Sequence, residues 1–297
     1  MGGVDELLIR DLTAADAEKA VALATAQGFR DRTRFFDFAL RTPTCQPIAG
    51  ILKGELIATG LATANGPVGW LGGIVVDAEL RRRGIGRAIT EELRRRLRAA
   101  GCQTLSLEST DTGRPMYEQM GFRLATHYHQ LQADHLDGAP TLPEGARIRR
   151  LAEADLPAVF ALDRLATAED RSAPLGVLAA SGRLDDTGAA PAPGGGGNWV
   201  LERDSAVCGY LMPAERSYGS IIAPRFEDGF YLLDLHRFIV PTGAHVRAGV
   251  PDEHAAAWRE LQARGWQETW RAPRYLLGPD IPWRPTWIWG QINSAMG

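Results

Sequence analysis

Three consecutive arginines run into a glycine-rich turn, Arg81-Arg82-Arg83-Gly84-Ile85-Gly86, and Arg87 follows. Ahead of it lies the apolar run 70–76, ending in Ile74, Val75 and Val76, which predicts a buried strand. Behind it Ile85, Ile89, Leu93 and Leu97 recur four apart, one face of a helix that Gly101 would end. Glycines at 84 and 86 carry no Cβ, so backbone N–H groups can converge on an anion at the helix N-terminus. A pyrophosphate supplies the charge that such a nest and the helix dipole favour, and the arginines add longer-range attraction. The competing reading is a tight turn beside a solvated arginine run. The strand before and the amphipathic helix after favour the anion site, and the absence of GxGxxG removes the dinucleotide-fold alternative.

Bulk properties narrow the class. The chain has 297 residues, 45% hydrophobic and 23% charged, with net charge −3, the composition of a globular protein with room for two domains. No apolar run reaches the length of a membrane span. The acidic excess lies in the second half and no domain is basic, so nucleic-acid binding is not expected. Cys45, Cys102 and Cys208 are widely spaced, which suits a reducing compartment and offers no zinc framework. With no basic and apolar leader at its start, the chain is expected in the cytoplasm. His127, His129 and His135 share a short stretch, but their placement gives no reason to expect a metal.

The elements that must hold the site alternate. Strands are expected near 7–10, 47–52, 55–63, 70–76 and 104–107, with helices after Thr13, from 85 and over 115–120. Alternation of this kind marks an α/β domain around a mixed sheet. The octapeptide IRDLTAAD, from Ile9, returns as IRRLAEAD from Ile148, and PMYEQMGF (115–122) is echoed more weakly by AWRELQARGW (257–266). Two half-matches in the same order suggest a duplicated fold, domains 1–138 and 147–297 joined by the Gly/Pro-rich stretch 136–146. Residues 187–198 read as a flexible surface loop. Seven of the eight tryptophans lie after residue 140, several in WRPTWIWG (283–290), a tail suited to strapping a core or a homodimer interface.

Taken together, the residues resemble the GNAT superfamily of acetyltransferases. Arg81, Gly84 and Gly86 match its pyrophosphate loop, and 73–76 matches the strand before it. Gly113, Tyr117, Glu118, Gly121 and Phe122 match its later GxxxYExxGF element. The whole chain is similar to tandem members, a working domain followed by a degenerate copy. The resemblance implies acetyl-CoA bound by Ile74, Val75, Val76, Arg81, Arg82, Arg83, Gly84, Ile85, Gly86 and Arg87, without a metal. It implies that Tyr117 protonates the leaving sulfur, although a core tyrosine is the plain alternative. Glu108 would act as base directly or through water, or serve as a structural carboxylate. The amides near Ile74 to Val76 would receive the oxyanion, with direct attack rather than a covalent enzyme intermediate. Phe35, Phe36 and Asp37 fall where this fold builds its acceptor pocket, and core packing of the phenylalanines is equally compatible. In the second half, 221–233 stands where the phosphate loop would be and lacks RxxGxG. There Glu227 and Asp228 would repel phosphate. With Asp234 they are candidates instead for holding a small cationic amine. The acceptor expected is an amino sugar such as the aminoglycoside kasugamycin. A polyamine is the alternative enzyme substrate, and a CoA-binding sensor without turnover is the non-enzymatic one.

Overall fold

Both copies of the repeated octapeptide fold alike. In the first, Arg10 on strand β1 (Leu8–Asp11) clamps Asp16 through hydrogen bonds of 2.7 and 2.9 Å. Asp16 in turn accepts from the Thr13 backbone N–H, closing the turn that opens helix α1 (Ala17–Ala26). In the second, Arg149 clamps Asp155 at 2.5 and 2.7 Å and Asp155 accepts from the Ala152 N–H.

The computed structural model describes residues 6–182, 190–214 and 218–297, so the first part of the expected loop 187–198 lies outside the described residues. The chain separates into two units. Unit 1 takes the residues up to 123 with 275–280 and 294–296, and unit 2 takes 124–274, 281–293 and 297. The division therefore falls ahead of the 136–146 stretch.

In unit 1, α1 is followed by α2 (Thr33–Arg41), β2 (Cys45–Leu52), β3 (Glu55–Asn65) and β4 (Val68–Val76). Helix α3 (Ile85–Ala99), β5 (Thr104–Glu108) and the short α4 (Arg114–Gln119) complete it. Strands β1 to β4 pair antiparallel in order, and β5 joins β4 in parallel. The stripe Ile85, Ile89, Leu93 and Leu97 is at most 4% exposed and packs on the sheet with Leu71 and Leu105. Each such side chain contributes about 1.5–3 kcal/mol by leaving water. This anchors the end of α3 that faces the arginine–glycine turn.

Unit 2 contains β6 (Arg123–Asp134), β7 (Arg147–Arg150), α5 (Leu156–Thr167), α6 (Ser172–Ser181), β8 (Trp199–Arg203), β9 (Ala206–Pro213) and β10 (Gly219–Ile222). Then come α7 (Phe226–Ile239), β11 (His245–Pro251), α8 (Ala255–Ala263), β12 (Gln267–Leu277), whose last three residues belong to unit 1, and β13 (Ile288–Gly290). One sheet runs β13-β10-β9-β8-β7. Separately, β6 pairs antiparallel with β11, from Asp134↔His245 to Tyr128↔Pro251. That pairing explains why β6 belongs to unit 2 rather than to the unit that precedes it. Trp199 and Trp289 are wholly buried, so one tryptophan of the tail is core. Among the described residues no helix is long and apolar enough to cross a membrane.

Candidate active site

Strand β4 leaves β5 halfway along. The two pair only from Val68↔Thr104 to Trp70↔Ser106, while β4 stays with β3 as far as Val76. Opposite the single residue Gly60, β4 sets two, Gly73 and Ile74, and Gly73 takes φ +57°. This is a β-bulge, which bends the strand and raises its twist. Gly72, Gly73 and Ile74 are consequently half-buried in the middle of an otherwise buried strand. A strand edge freed from its neighbour offers N–H and C=O groups to an extended amide-containing chain. The Thr59 hydroxyl fixes the bulge by donating to the Gly73 carbonyl at 2.9 Å.

Beyond β4 the chain turns through residues in the left-handed region, Arg82 at φ +63° and Gly84 at φ +85°. Gly84 is the N-cap of α3 and supplies no side-chain cap, so the first helical N–H groups keep their capacity for an outside acceptor. A Cβ on Gly86 would find only Val76 Cγ2 at 3.8 Å and Met116 Sδ at 3.9 Å, which leaves the backbone approachable. The arginines divide in role. Arg81 is tied down, donating to Gln27 Oε1 at 2.6 Å and to the Val76 carbonyl at 3.3 Å. Arg82, Arg83 and Arg87 are exposed around the turn, while Ile85 is buried beneath it. The arrangement fits the diphosphate of a CoA thioester.

Tyr117, on α4, is 8% exposed and meets Phe122 edge-on at 5.9 Å. Burial pushes its phenol up to about 12, against a smaller opposing pull from the Thr90 hydroxyl that hydrogen-bonds it. Thr90 sits one turn into α3 and donates to the Gly86 carbonyl at 2.8 Å. The phenol is thus linked through one side chain to the glycine turn and stays protonated at neutral pH. Glu108 ends β5 and is half-buried where β4 and β5 have parted. Glu118 has a structural duty, accepting from the Tyr275 hydroxyl at 3.0 Å within unit 1.

The acceptor candidates separate. Phe35 lies against the bulge, its Cζ 3.1 Å from where a Gly73 Cβ would stand. Phe36 meets Phe35 edge-on at 5.3 Å, and both are 3% exposed, core residues. Asp37 is exposed and paired with Arg41 at 2.9 Å. In unit 2, Asp228 has no exposed surface and is held by Arg203 at 2.7 Å. Glu227 stands 3.8 Å from Arg225, and Asp234 is paired with Arg237 at 3.2 Å and Arg264 at 3.6 Å. Each expected amine-binding carboxylate there already faces a guanidinium. His127 and His129 pair with Asp252, at 3.2 and 2.8 Å, and among the described residues no group of His, Cys, Asp or Glu could hold a metal ion. Sequence reasoning missed Thr90, Gln27 and the bulge. Two adjacent glycines, Gly72 and Gly73, inside an apolar strand were the available sign of the last.

Residues 7–122 match the acetyltransferase (GNAT) family. The glucosamine 6-phosphate N-acetyltransferase of Trypanosoma brucei brucei is 28% identical over 130 residues, 43% of this chain and 84% of that protein. Among solved structures, a protein of Pyrococcus horikoshii assigned as an acetyltransferase superposes with TM-score 0.79 at 18% identity, covering 98% of this chain and 96% of its own. A tandem GNAT protein from the clavulanic acid biosynthesis pathway, solved without acetyl-CoA, gives TM-score 0.61 at 18% identity over 93% of this chain and all (100%) of its own. These two show the fold, a mixed α/β architecture in both halves. Over residues 7–122 the chain is similar to the acetyltransferase (GNAT) family, whose members use acetyl-CoA, and with the trypanosomal relative this supports an N-acetyltransferase.

Proposed function

We propose that unit 1 binds one acetyl-CoA and transfers its acetyl group to the primary amine of an amino sugar. The observation that carries this reading is one uninterrupted segment: a bulged strand edge, a left-handed glycine turn and an uncapped helix start, with a protonated tyrosine linked to it through Thr90. Acetyl-CoA supplies an activated thioester. Gly84, Ile85, Gly86 and Arg87 would hold its diphosphate with their N–H groups, and Arg82 and Arg83 would add charge. The edge of β4 from Gly73 to Val76 would pair with the pantetheine amides, and an N–H between Ile74 and Val76 would stabilise negative charge developing on the acetyl oxygen. Glu108 would accept a proton from the acceptor's ammonium group, directly or through water, so that the free amine can attack the carbonyl carbon. Tyr117 would give its proton to sulfur as the C–S bond breaks.

Unit 2 would hold no second acetyl-CoA. Its strand β13 lies beside β10 and against β11, in the place that the parting of β4 and β5 leaves open in unit 1. At the start of α7 a Cβ on Gly229 would stand 1.9 Å from the Trp289 indole, so that ring fills the helix start, and Glu227 and Asp228 in the first turn repel anions. Glu227, Asp228 and Asp234 are matched by arginines and serve unit 2's own electrostatics in this reading, Asp37 is likewise matched by Arg41, and Phe35 carries the acceptor side.

The amino-sugar class is supported by the trypanosomal relative, and an aminoglycoside such as kasugamycin is the narrower candidate. Release of free thiol from acetyl-CoA should be measured with glucosamine 6-phosphate, kasugamycin and spermidine. Turnover with an amino sugar supports the proposal, and turnover with spermidine alone redirects it to polyamines. Tight acetyl-CoA binding with no turnover on any amine would make the protein a sensor.

A further inference from the structure

Unit 1 draws its last three residues from far along the sequence, 294–296. They lie against β4 at the bulge. A Cβ on Gly72 would stand 2.2 Å from Ala295 Cβ and 2.6 Å from its Cα, so the two chains meet backbone to backbone and only glycine permits it. One residue further, the Met296 carbonyl accepts from Asn65 Nδ2 at 3.0 Å, and Asn65 is wholly buried. Ala295 and Met296 are 3% and 0% exposed. The segment is thus built into the unit rather than resting on its surface.

Its position matters because of which face it covers. Leu71, on one side of β4, packs into the α3 core, whereas Gly72 points to the opposite face. Its neighbour Gly73 is met by the Phe35 ring of α2, 3.1 Å from the missing Cβ. Adjacent residues of the bulge are therefore met by an aromatic from α2 and by the segment around Ala295. On the proposed function, this bulge is where β4 presents the acetyl group, with α3 occupying the donor side of the sheet. The remaining approach is the face that Phe35 and Ala295 border.

We propose that residues 294–296 form a wall of the acceptor pocket, with Ala295 limiting which amines reach the acetyl group and keeping water from it. The inference rests on unit 1 being the acetyl-transfer site. Small side chains on both partners, Gly72 and Ala295, set the height of that wall. A displaced segment widens the pocket without touching the glycine turn at Gly84 and Gly86, which holds the donor.

Two variants test this in the full chain, Gly72→Ala, which forces Ala295 away, and removal of residues 294–297. Three quantities are read: acetyl-CoA affinity by calorimetry, thiol release without any amine, and KM and kcat for glucosamine 6-phosphate. The expected result is unchanged acetyl-CoA affinity, amine-independent hydrolysis raised several-fold, and KM for the amine raised about tenfold, the equivalent of one lost good contact. Should the truncated chain fail to fold, Gly72→Ala decides alone. Hydrolysis and KM equal to wild type in a variant that binds acetyl-CoA overturn the wall while leaving the proposed function standing. Loss of acetyl-CoA affinity in both variants also overturns it, since the segment would then support the donor side. A wild-type protein that binds no acetyl-CoA overturns the proposed function itself, and the wall with it.

Discussion

Tyr117 owes its protonation state to burial more than to any charged neighbour. Its phenol, pushed up to about 12, remains a proton donor across the range where an acceptor amine becomes free base. Replacing it with phenylalanine should lower kcat by about 10²-fold, the usual contribution of one positioned general acid, with little change in acetyl-CoA affinity. The sign of its pH dependence follows from the raised value. Donation is retained below the folded value and lost only as pH rises through about 12, so activity should show no tyrosine-type decline near pH 10. A decline there that vanishes in Tyr117→Phe would show a donor whose phenol burial has not raised, whereas an unchanged kcat in Tyr117→Phe would return the residue to a purely structural role. The two glycines of the turn should separate as well. Gly84 sits at φ +85°, so Gly84→Ala should destabilise unit 1 by about 1–2 kcal/mol, the left-handed cost for an L-residue. Gly86 is helical with room for a Cβ, so Gly86→Val should spare the melting temperature more and abolish acetyl-CoA binding. Thermal melts and calorimetric titrations of the two variants check this.

At the scale of elements, the sequence was informative wherever a local rule determines structure. Strand, glycine turn and helix around 70–99 were legible because the apolar stripe and the turn residues sit within one another's reach. The repeated octapeptide was legible too, and its basis is the Arg10–Asp16 and Arg149–Asp155 clamps. The Gly73 bulge was not read, because it is defined by register against Gly60 on another strand. Nor was the distribution of 275–280 and 294–296 into unit 1, which depends on pairings across more than a hundred residues. There, Thr104 Oγ1 donates to the Pro279 carbonyl at 2.7 Å, a contact with no local signature. The clamps predict a pH effect. The Arg10 hydrogen bond holds the Asp16 carboxyl well below the usual carboxylate range, and Arg149 lowers Asp155 likewise. Their stabilisation is full above the unfolded value near 4 and is lost as pH falls through the folded values. Asp16→Asn should therefore lower the melting temperature at neutral pH and narrow its gap to wild type on acidification. In α3, Leu93→Ala should cost about 2–5 kcal/mol, since Leu93 is wholly buried in the core beneath the turn.

On the proposed function the two halves of the molecule take different parts: unit 1 would keep an open strand edge for acetyl-CoA, whereas in unit 2 β13 lies beside β10 and against β11. Unit 2 also carries its own acid sensitivity. His236 and His254 are buried and neutral, with burial lowering both to about 4. A lowered value means that stability is full above the unfolded value near 6.5 and falls as pH drops from there toward 4. Melting followed between pH 7 and 4 should show this loss, and His236→Gln should reduce it. The most direct test of the account is a calorimetric titration of the whole chain with acetyl-CoA, repeated on Gly86→Val. One site per chain in the wild type, abolished in the variant, is the predicted result. Two sites per chain, or a single site that survives Gly86→Val, would contradict it by placing acetyl-CoA somewhere other than the glycine turn of unit 1.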